Sequence, residues 1–160
     1  MMESSNEVIG STSWPEAIHA ALGGLAVRQV AFVPDAGHGR LIELCRSDPA
    51  MRAVVLTTEE EGVALLAGAW LGGARGALLM QSSGIGNCVN MLSLNQSCRL
   101  PLLALITMRG EWGEFNPWQL AMGQAAAEVL RVAGVIVQRL EQAELAGETV
   151  AAAGRIAFEG

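Results

Sequence analysis

The chain has 160 residues, of which 51% are hydrophobic and 16% are charged, as in a single globular domain and unlike a disordered chain. Ten basic residues, all of them arginine, stand against sixteen acidic ones, so a protein that binds the nucleic-acid backbone is not expected. Because the sequence contains no lysine, Schiff-base chemistry and a lysine-bearing phosphate loop are excluded.

The cysteines and the N-terminal residues predict a reduced, cytoplasmic protein. Cys45, Cys88 and Cys98 are odd in number and lack the spacing of metal ligands, so no metal site is expected within the chain. Residues 1–12 form a polar lead-in without the basic start and apolar run of a secretory signal. The longest uncharged stretch, 76–98, contains several polar residues and is not expected to span a membrane.

Short apolar runs alternate with longer helical patterns along the rest of the chain. The predicted elements are, in order, a helix over 14–25, a strand over 29–33, a helix over 37–46, a strand over 53–56, a helix over 60–72, a strand over 76–80, a helix over 87–98, a strand over 102–107, a helix over 117–133, a fifth strand over 135–137 and a helix over 141–153. Unbroken apolar strands separated by helices are typical of a parallel sheet covered on both faces. Residues 13–160 are therefore predicted to form one three-layer α/β/α domain with a mostly parallel sheet.

Three consecutive glutamates, 59–61, lie at the start of the third predicted helix, just after the second strand. Ligands of parallel sheets bind beyond the carboxyl ends of the strands, which is where these glutamates are expected. Acidic residues are common in a first helical turn because they meet the positive end of the helix dipole. Helical spacing, however, places Glu60 on a stripe with Val63, and Glu59 and Glu61 should point elsewhere. No residue from 62 to 74 is charged, so this helix is expected to be buried nearly all round. A carboxylate that leads such a helix is desolvated and suited to share a proton, which makes Glu60 the predicted catalytic residue.

A polar turn with two glycines, 81–87, joins the third strand to the next helix. Glycines at this place let the backbone approach a ligand closely while the helix N–H groups are free to donate. The turn lacks the third glycine and the acidic ribose partner of a dinucleotide site. Without other evidence, an ordinary helix-capping turn would have much the same sequence.

The glutamate-rich helix start at 59–63, the glycine turn at 81–87 and the Arg-Gly pair at 109–110, taken together at this spacing, resemble the pyrimidine-binding domain of thiamine-diphosphate enzymes. Within that superfamily the likeness is to the sulfopyruvate and phosphonopyruvate decarboxylases, and it covers roughly residues 14–137. The resemblance implies that Glu60, ten positions before Trp70, is the glutamate that shares a proton with the pyrimidine ring. The residues that it implies for cofactor binding are Gly84, Ile85, Gly86 and Asn87.

The resemblance also implies a 2-oxo acid substrate, such as sulfopyruvate or phosphonopyruvate, which is converted to an aldehyde and carbon dioxide. Arg109 offers a cation for the distal anion of the substrate, but it could instead form an ion pair with Glu111 or Glu114. The family often has a small hydroxyl residue where this chain has Ala36, so the substrate could differ from both named acids.

Three further residues complete the predicted substrate contacts. Gln119 follows the loop after Arg109 and resembles a glutamine of the sulfopyruvate group, and Gln81 begins the polar turn after the third strand. His38 lies in the first ligand-facing loop, where it could move protons at neutral pH or be an ordinary surface residue at a helix start.

The chain lacks the Mg²⁺-binding turn that the resemblance implies, which predicts a partner subunit. In the family, Mg²⁺ holds the diphosphate through a Gly-Asp-Gly turn on a separate domain, but the only aspartates here are Asp35 and Asp48, neither followed by glycine. Thiamine diphosphate and Mg²⁺ are thus expected to be held with the help of a diphosphate-binding beta subunit, in a hetero-oligomer with at least two copies of each chain. Trp112, Phe115 and Trp118 could close over the substrate or pack against that partner. The alternative to a decarboxylase alpha subunit is a non-catalytic, flavodoxin-like binding or regulatory domain.

Overall fold

The apolar runs form a four-stranded sheet in the computed structural model, which describes residues 13–160; the polar lead-in predicted over 1–12 lies outside the described residues. In chain order the elements are α1 (Trp14–Gly24), β1 (Val27–Phe32), α2 (Gly39–Ser47), β2 (Arg52–Val55), α3 (Glu59–Leu71), β3 (Arg75–Gln81), α4 (Ile85–Cys88), α5 (Leu92–Cys98), β4 (Leu103–Thr107), α6 (Leu120–Val132) and α7 (Ala146–Glu159). Short 3-10 turns precede α4, α6 and α7 at Ser82–Gly84, Pro117–Gln119 and Ala143–Leu145.

The sheet is parallel throughout, with the strand order β2-β1-β3-β4. Val30 of β1 lies between Ala53 of β2 and Ala77 of β3, and Leu79 of β3 is in register with Leu105 of β4. The central residues of β3 are buried on both faces, which is why this strand is an unbroken apolar run.

Helices cover both faces of the sheet, which confirms the predicted three-layer α/β/α fold. Residues of α1, α2 and α7 pack with one face in a single apolar cluster, and residues of α3, α4, α5 and α6 pack with the other. Since β1 lies between β2 and β3, the connections that leave β1 and β3 diverge to opposite faces, and the crevice between them is where open α/β sheets place ligands.

The predicted fifth strand is wrong. Gly134 ends α6 with a φ of +76°, and the N–H of Val135 donates to the carbonyl of Leu130 at the end of that helix. The backbone thus caps a helix instead of pairing with β4, while Val135 and Val137 still pack against the core.

Two predicted helices also differ from the structure. The helix expected over 87–98 is divided into α4 and α5, and the last helix begins later and extends further than 141–153. The expectation that the third helix is buried all round is wrong as well, since Ala64, Gly68 and Leu71 of α3 are exposed, Leu71 by 78%. The absence of charged residues from this helix face therefore does not mean that the face is buried within this chain.

Gly62 brings the start of α3 onto the sheet. A Cβ atom at this position would collide with the terminal methyl groups of Leu56 and Leu78, so glycine allows this close approach without moving those side chains. The first turn of α3, with its glutamates, is thereby held beside the carboxyl end of β3. Within residues 13–160, no helix combines the length and the hydropathy needed to cross a membrane.

Candidate active site

The three glutamates that begin α3 have three different environments. The Oε2 atom of Glu61 accepts a hydrogen bond from the N–H of Thr57 at 2.8 Å and so satisfies a backbone donor before the helix. The Oε2 atom of Glu59 accepts from Nδ2 of Asn87 at 2.8 Å. The Oε2 atom of Glu60 is buried and has no hydrogen-bond partner among residues 13–160. Of the three carboxylates, Glu60 therefore carries the buried oxygen that is open to a ligand.

Glu59 does not point away from the predicted cofactor turn, contrary to the expectation from helical spacing. Its side chain is 7% exposed and occupies the place that a Cβ atom of Gly84 would take. Spacing along one helix shows which residues share a face, but it does not show which neighbouring segment that face meets.

The thiol of Cys88, in α4, lies near enough to Glu59 and Glu60 for their charges to affect its pKa. Burial, with further contributions from the charges of Glu59 and Glu60, raises the pKa of the Cys88 thiol to about 12. The thiol is thus neutral at physiological pH and unsuited to act as a nucleophile.

The predicted cofactor residues of the turn lie against the start of α3, where Glu59 contacts Gly84 and Asn87, but they offer different groups. Ile85 is fully buried in the core, so its side chain is not available to a ligand. A Cβ atom on Gly86 would meet only Met122, at ordinary contact distance. Gly86 therefore leaves one open, side-chain-free position in the turn, and Asn87 is held by Glu59.

A polar cluster joins the ends of β1 and β4. Asp35 accepts a hydrogen bond from Thr107 Oγ1 at 2.5 Å, and its Oδ2 atom lies 3.7 Å from Nδ1 of His38, which is too long for a hydrogen bond. His38 is buried, and its Nδ1 atom has no hydrogen-bond partner in the part of the chain that the structure describes. Burial lowers the pKa of His38, and the charge of Asp35 opposes this shift only in part.

The neutral state of His38 should make the stability of the chain fall in mild acid. Because the folded-state pKa lies below the unfolded value of about 6.5, protons bind preferentially to the unfolded chain as the pH falls through that value. Denaturant unfolding at pH 7.5, 6.5 and 5.5 should show a free energy of unfolding that declines with pH. The His38→Gln variant should lose this part of the decline, and His19→Gln should retain it; an unchanged pH profile in His38→Gln would contradict the assignment.

Arg109 forms the ion pair that the sequence left open, and its partner is Glu114. Its Nε and Nη2 atoms donate to the two carboxylate oxygens at 2.8 and 2.7 Å. Glu114 also accepts from the N–H groups of Gly110 and Asn116 at 3.3 and 2.9 Å. The bond from Arg109 is the largest of the causes that hold the pKa of Glu114 at about 2. Glu111 pairs with Arg139 instead.

The Arg109 segment is also fixed to its neighbours. The N–H of Arg109 donates to Oγ of the fully buried Ser82 at 3.0 Å, which ties the end of β4 to the turn after β3. Gly110, with a φ of +74°, lies against the backbone of Gln119. Gln119 is 8% exposed, and its buried Oε1 atom accepts no hydrogen bond from the described residues. Gln81 ends β3, half-buried, at the same edge of the sheet.

Buried polar atoms without partners are concentrated in the predicted site. Among the described residues five such side-chain atoms occur, and three of them belong to Glu60, His38 and Gln119. Because buried polar groups in folded proteins are nearly always hydrogen-bonded to protein or to ordered water, these atoms are places where water or a polar ligand can bind.

Four residues with structural roles at this edge were not predicted as site residues: Asp35, Glu59, Ser82 and Thr107. A polar residue at or just after the end of an apolar strand was the available signal for Ser82 and Thr107. Nothing in the sequence indicated that Asp35 and Thr107, 72 residues apart, bind each other.

A cavity of about 520 Å³ lies elsewhere, between α2 and the edge strand β2. Asp35 and Arg46 are among its lining residues, but Glu60, Asn87 and Gln119 are not. The arrangement at the carboxyl edge, not this cavity, carries the chemistry described above.

No family model matches the chain, but relatives of known name do. It is 37% identical over 118 residues to the sulfopyruvate decarboxylase subunit alpha of Methanothermobacter thermautotrophicus, which covers 73% of this chain and 72% of that protein. The corresponding subunit of Methanococcus maripaludis is 36% identical, over 72% of this chain and 70% of its own length. The phosphonopyruvate decarboxylase of Streptomyces viridochromogenes is 42% identical, over 69% of this chain but only 28% of that longer protein.

Among solved structures, the chain is similar to a protein from Mycobacterium smegmatis described as a thiamin diphosphate-dependent enzyme. The TM-score is 0.53 at 16% identity, and the match covers 61% of this chain and 19% of that one. At this identity the likeness concerns the fold alone.

Proposed function

Because the chain belongs to the family of sulfopyruvate decarboxylase alpha subunits and phosphonopyruvate decarboxylases, we propose that it is the alpha subunit of a thiamine-diphosphate-dependent decarboxylase. Its substrate is a 2-oxo acid such as sulfopyruvate or phosphonopyruvate, and its products are the aldehyde and carbon dioxide. The observation that carries this proposal is the buried Oε2 atom of Glu60, which has no partner among residues 13–160 and follows directly on the glutamate that binds Asn87 of the glycine turn.

The residues at this edge fit the pyrimidine end of the cofactor. When bound, thiamine diphosphate supplies the nucleophilic carbon and the electron sink for loss of carbon dioxide. Glu60 would share a proton between its Oε2 atom and a nitrogen of the bound pyrimidine ring, which would satisfy both groups. Gly86 provides a position without a side chain against which the ring can lie.

The diphosphate end requires other ligands. No three His, Cys, Asp or Glu side chains come together as a metal site within residues 13–160, whereas Mg²⁺ needs oxygen ligands. We assign Mg²⁺ and the diphosphate to a beta subunit, in a complex with at least two copies of each chain. The relatives named subunit alpha support such a partner.

Apolar surface on this chain supports the same partner. The outer face of α3 exposes Ala64, Gly68 and Leu71 without a charge from residue 62 onward. Trp112, Phe115 and Trp118 are also exposed, Trp112 by 96%. Tryptophan residues are enriched among those that dominate binding energy in interfaces, so both surfaces are candidates for contact with the beta subunit.

The thiols support a cytoplasmic location for this enzyme. Cys45, Cys88 and Cys98 are all free, and the first two are buried. Cysteines stay unpaired in the reducing environment of the cytoplasm, whereas secreted proteins usually form disulfides.

The role of Arg109 in substrate binding depends on whether Glu114 releases it. If Arg109 binds the distal anion, Arg109→Ala should raise KM for sulfopyruvate roughly ten- to a hundredfold and change KM for pyruvate little. Glu114→Gln removes the competing charge and should leave KM for sulfopyruvate unchanged or lower. Steady-state kinetics of both variants in the assembled enzyme decide this: equal losses on both substrates would assign Arg109 a structural role through Glu114.

The proposed function is tested by producing the chain together with a diphosphate-binding subunit from the same source. The purified complex, with thiamine diphosphate and Mg²⁺, should release carbon dioxide from sulfopyruvate, phosphonopyruvate or a related 2-oxo acid. A complex that assembles and binds the cofactor but decarboxylates none of these acids would place the substrate outside this class. Failure to bind the cofactor in any complex would favour the flavodoxin-like binding or regulatory domain.

A further inference from the structure

The side chain of Glu59 explains why residue 84 is glycine. Gly84 has a φ of −68° and a ψ of −18°, a conformation that alanine adopts without strain. A Cβ atom at this position would nevertheless overlap the side chain of Glu59. Space, not backbone conformation, therefore excludes a side chain at residue 84, and it is Glu59 that fills this space.

The same side chain holds the other end of the turn. Its Oε2 atom accepts the hydrogen bond from Nδ2 of Asn87 at 2.8 Å, across 28 residues of sequence. Glu59 is the first residue of α3, where the positive end of the helix dipole favours a carboxylate. One buried side chain thus contacts both Gly84 and Asn87, the first and last residues of the predicted cofactor turn.

These contacts show that the neighbouring carboxylates of Glu59 and Glu60 have different environments. Glu59 uses an oxygen to bind Asn87, whereas the Oε2 atom of Glu60 has no partner within the described chain. We propose, resting on the proposed function, that Glu59 is a positioning residue: it fixes the turn of residues 84–87 in the shape that receives the pyrimidine ring, and it leaves Glu60 free to exchange the proton.

Cofactor affinity in the assembled enzyme tests this proposal. The apparent Kd for thiamine diphosphate, at saturating Mg²⁺, is measured by calorimetric titration together with kcat. Glu59→Ala should weaken cofactor binding about tenfold, as expected for the loss of one positioning hydrogen bond. Glu59→Gln should stay within about threefold of the wild type, because its amide oxygen still accepts from Asn87.

The contact with Gly84 supplies an independent, matched test. Gly84→Ala should weaken cofactor binding in the wild-type background by displacing Glu59. In the Glu59→Ala background the same substitution should cost nothing further, because the methyl group then occupies vacated space. This non-additivity would not arise if Glu59 acted only on the stability of α3, which thermal unfolding of each complex measures separately.

Each remaining outcome overturns the proposal. An unchanged Kd in Glu59→Ala, or additive effects of Glu59→Ala and Gly84→Ala, would remove the positioning role. Loss of turnover in Glu59→Gln with retained turnover in Glu60→Gln would make Glu59 the proton carrier instead. A wild-type complex that binds no thiamine diphosphate would refute the proposed function and this role together, while the coupling in thermal unfolding would still show whether Glu59 and Gly84 are in contact.

Discussion

Replacing Glu60 with glutamine is expected to abolish decarboxylation by the assembled enzyme while the chain keeps its fold. The amide has nearly the shape of the carboxylate, but it cannot pass a proton to the pyrimidine ring. Proton transfer by a positioned side chain typically contributes about 10²–10⁴-fold to a rate, so kcat for release of carbon dioxide should fall by at least that range.

Stability should respond far less than turnover to this substitution. Among residues 13–160 no group donates a hydrogen bond to the Oε2 atom of Glu60, so the substitution breaks no bond there and the free energy of unfolding should change by about 1 kcal/mol or less. Glu61→Gln is the matched control, because within the described part of the chain that carboxylate binds the N–H of Thr57 and it lies outside the proposed chemistry. Near-normal kcat in Glu60→Gln would refute the assignment.

The isolated chain is expected to decarboxylate nothing and to bind thiamine diphosphate and Mg²⁺ weakly or not at all. The proposed pyrimidine site lies on this chain, but residues 13–160 contain no cluster of ligands for the metal that would hold the diphosphate. Titration calorimetry of the chain alone, and then with the beta subunit added, measures the difference. Tight, Mg²⁺-dependent binding to the isolated chain would show that the partner is not required.

Assembly itself can be separated from catalysis by a substitution on the outer face of α3. Leu71 is 78% exposed and distant along the helix from Glu60. Leu71→Glu should therefore leave the chain folded, but a charge buried in an apolar interface should weaken binding of the beta subunit about tenfold or more. Sedimentation of the mixed subunits measures this effect, and unchanged assembly would exclude this face from the interface.

The sequence by itself determined the fold class and the family of this protein. Apolar strands alternating with helices specify a parallel, three-layer arrangement, because strands buried on both faces need covering helices. The glutamate run, the glycine turn and the Arg-Gly pair, at their spacing, were enough to indicate the decarboxylase family that the relatives confirm. The absence of an Asp-Gly pair could likewise be read directly from the chain.

Only the tertiary structure decided what each of these residues contacts. The sequence allowed Arg109 to pair with Glu111 or Glu114, and loop geometry selected Glu114. The helical pattern of α3 did not show that Glu59 meets Gly84 and Asn87, or that one uncharged face remains exposed. Periodicity is a local property of a segment, whereas these contacts join residues that lie far apart in the chain and depend on how the elements pack. The three neighbouring glutamates therefore look equivalent in the sequence and are distinguished only by what the fold places beside each one.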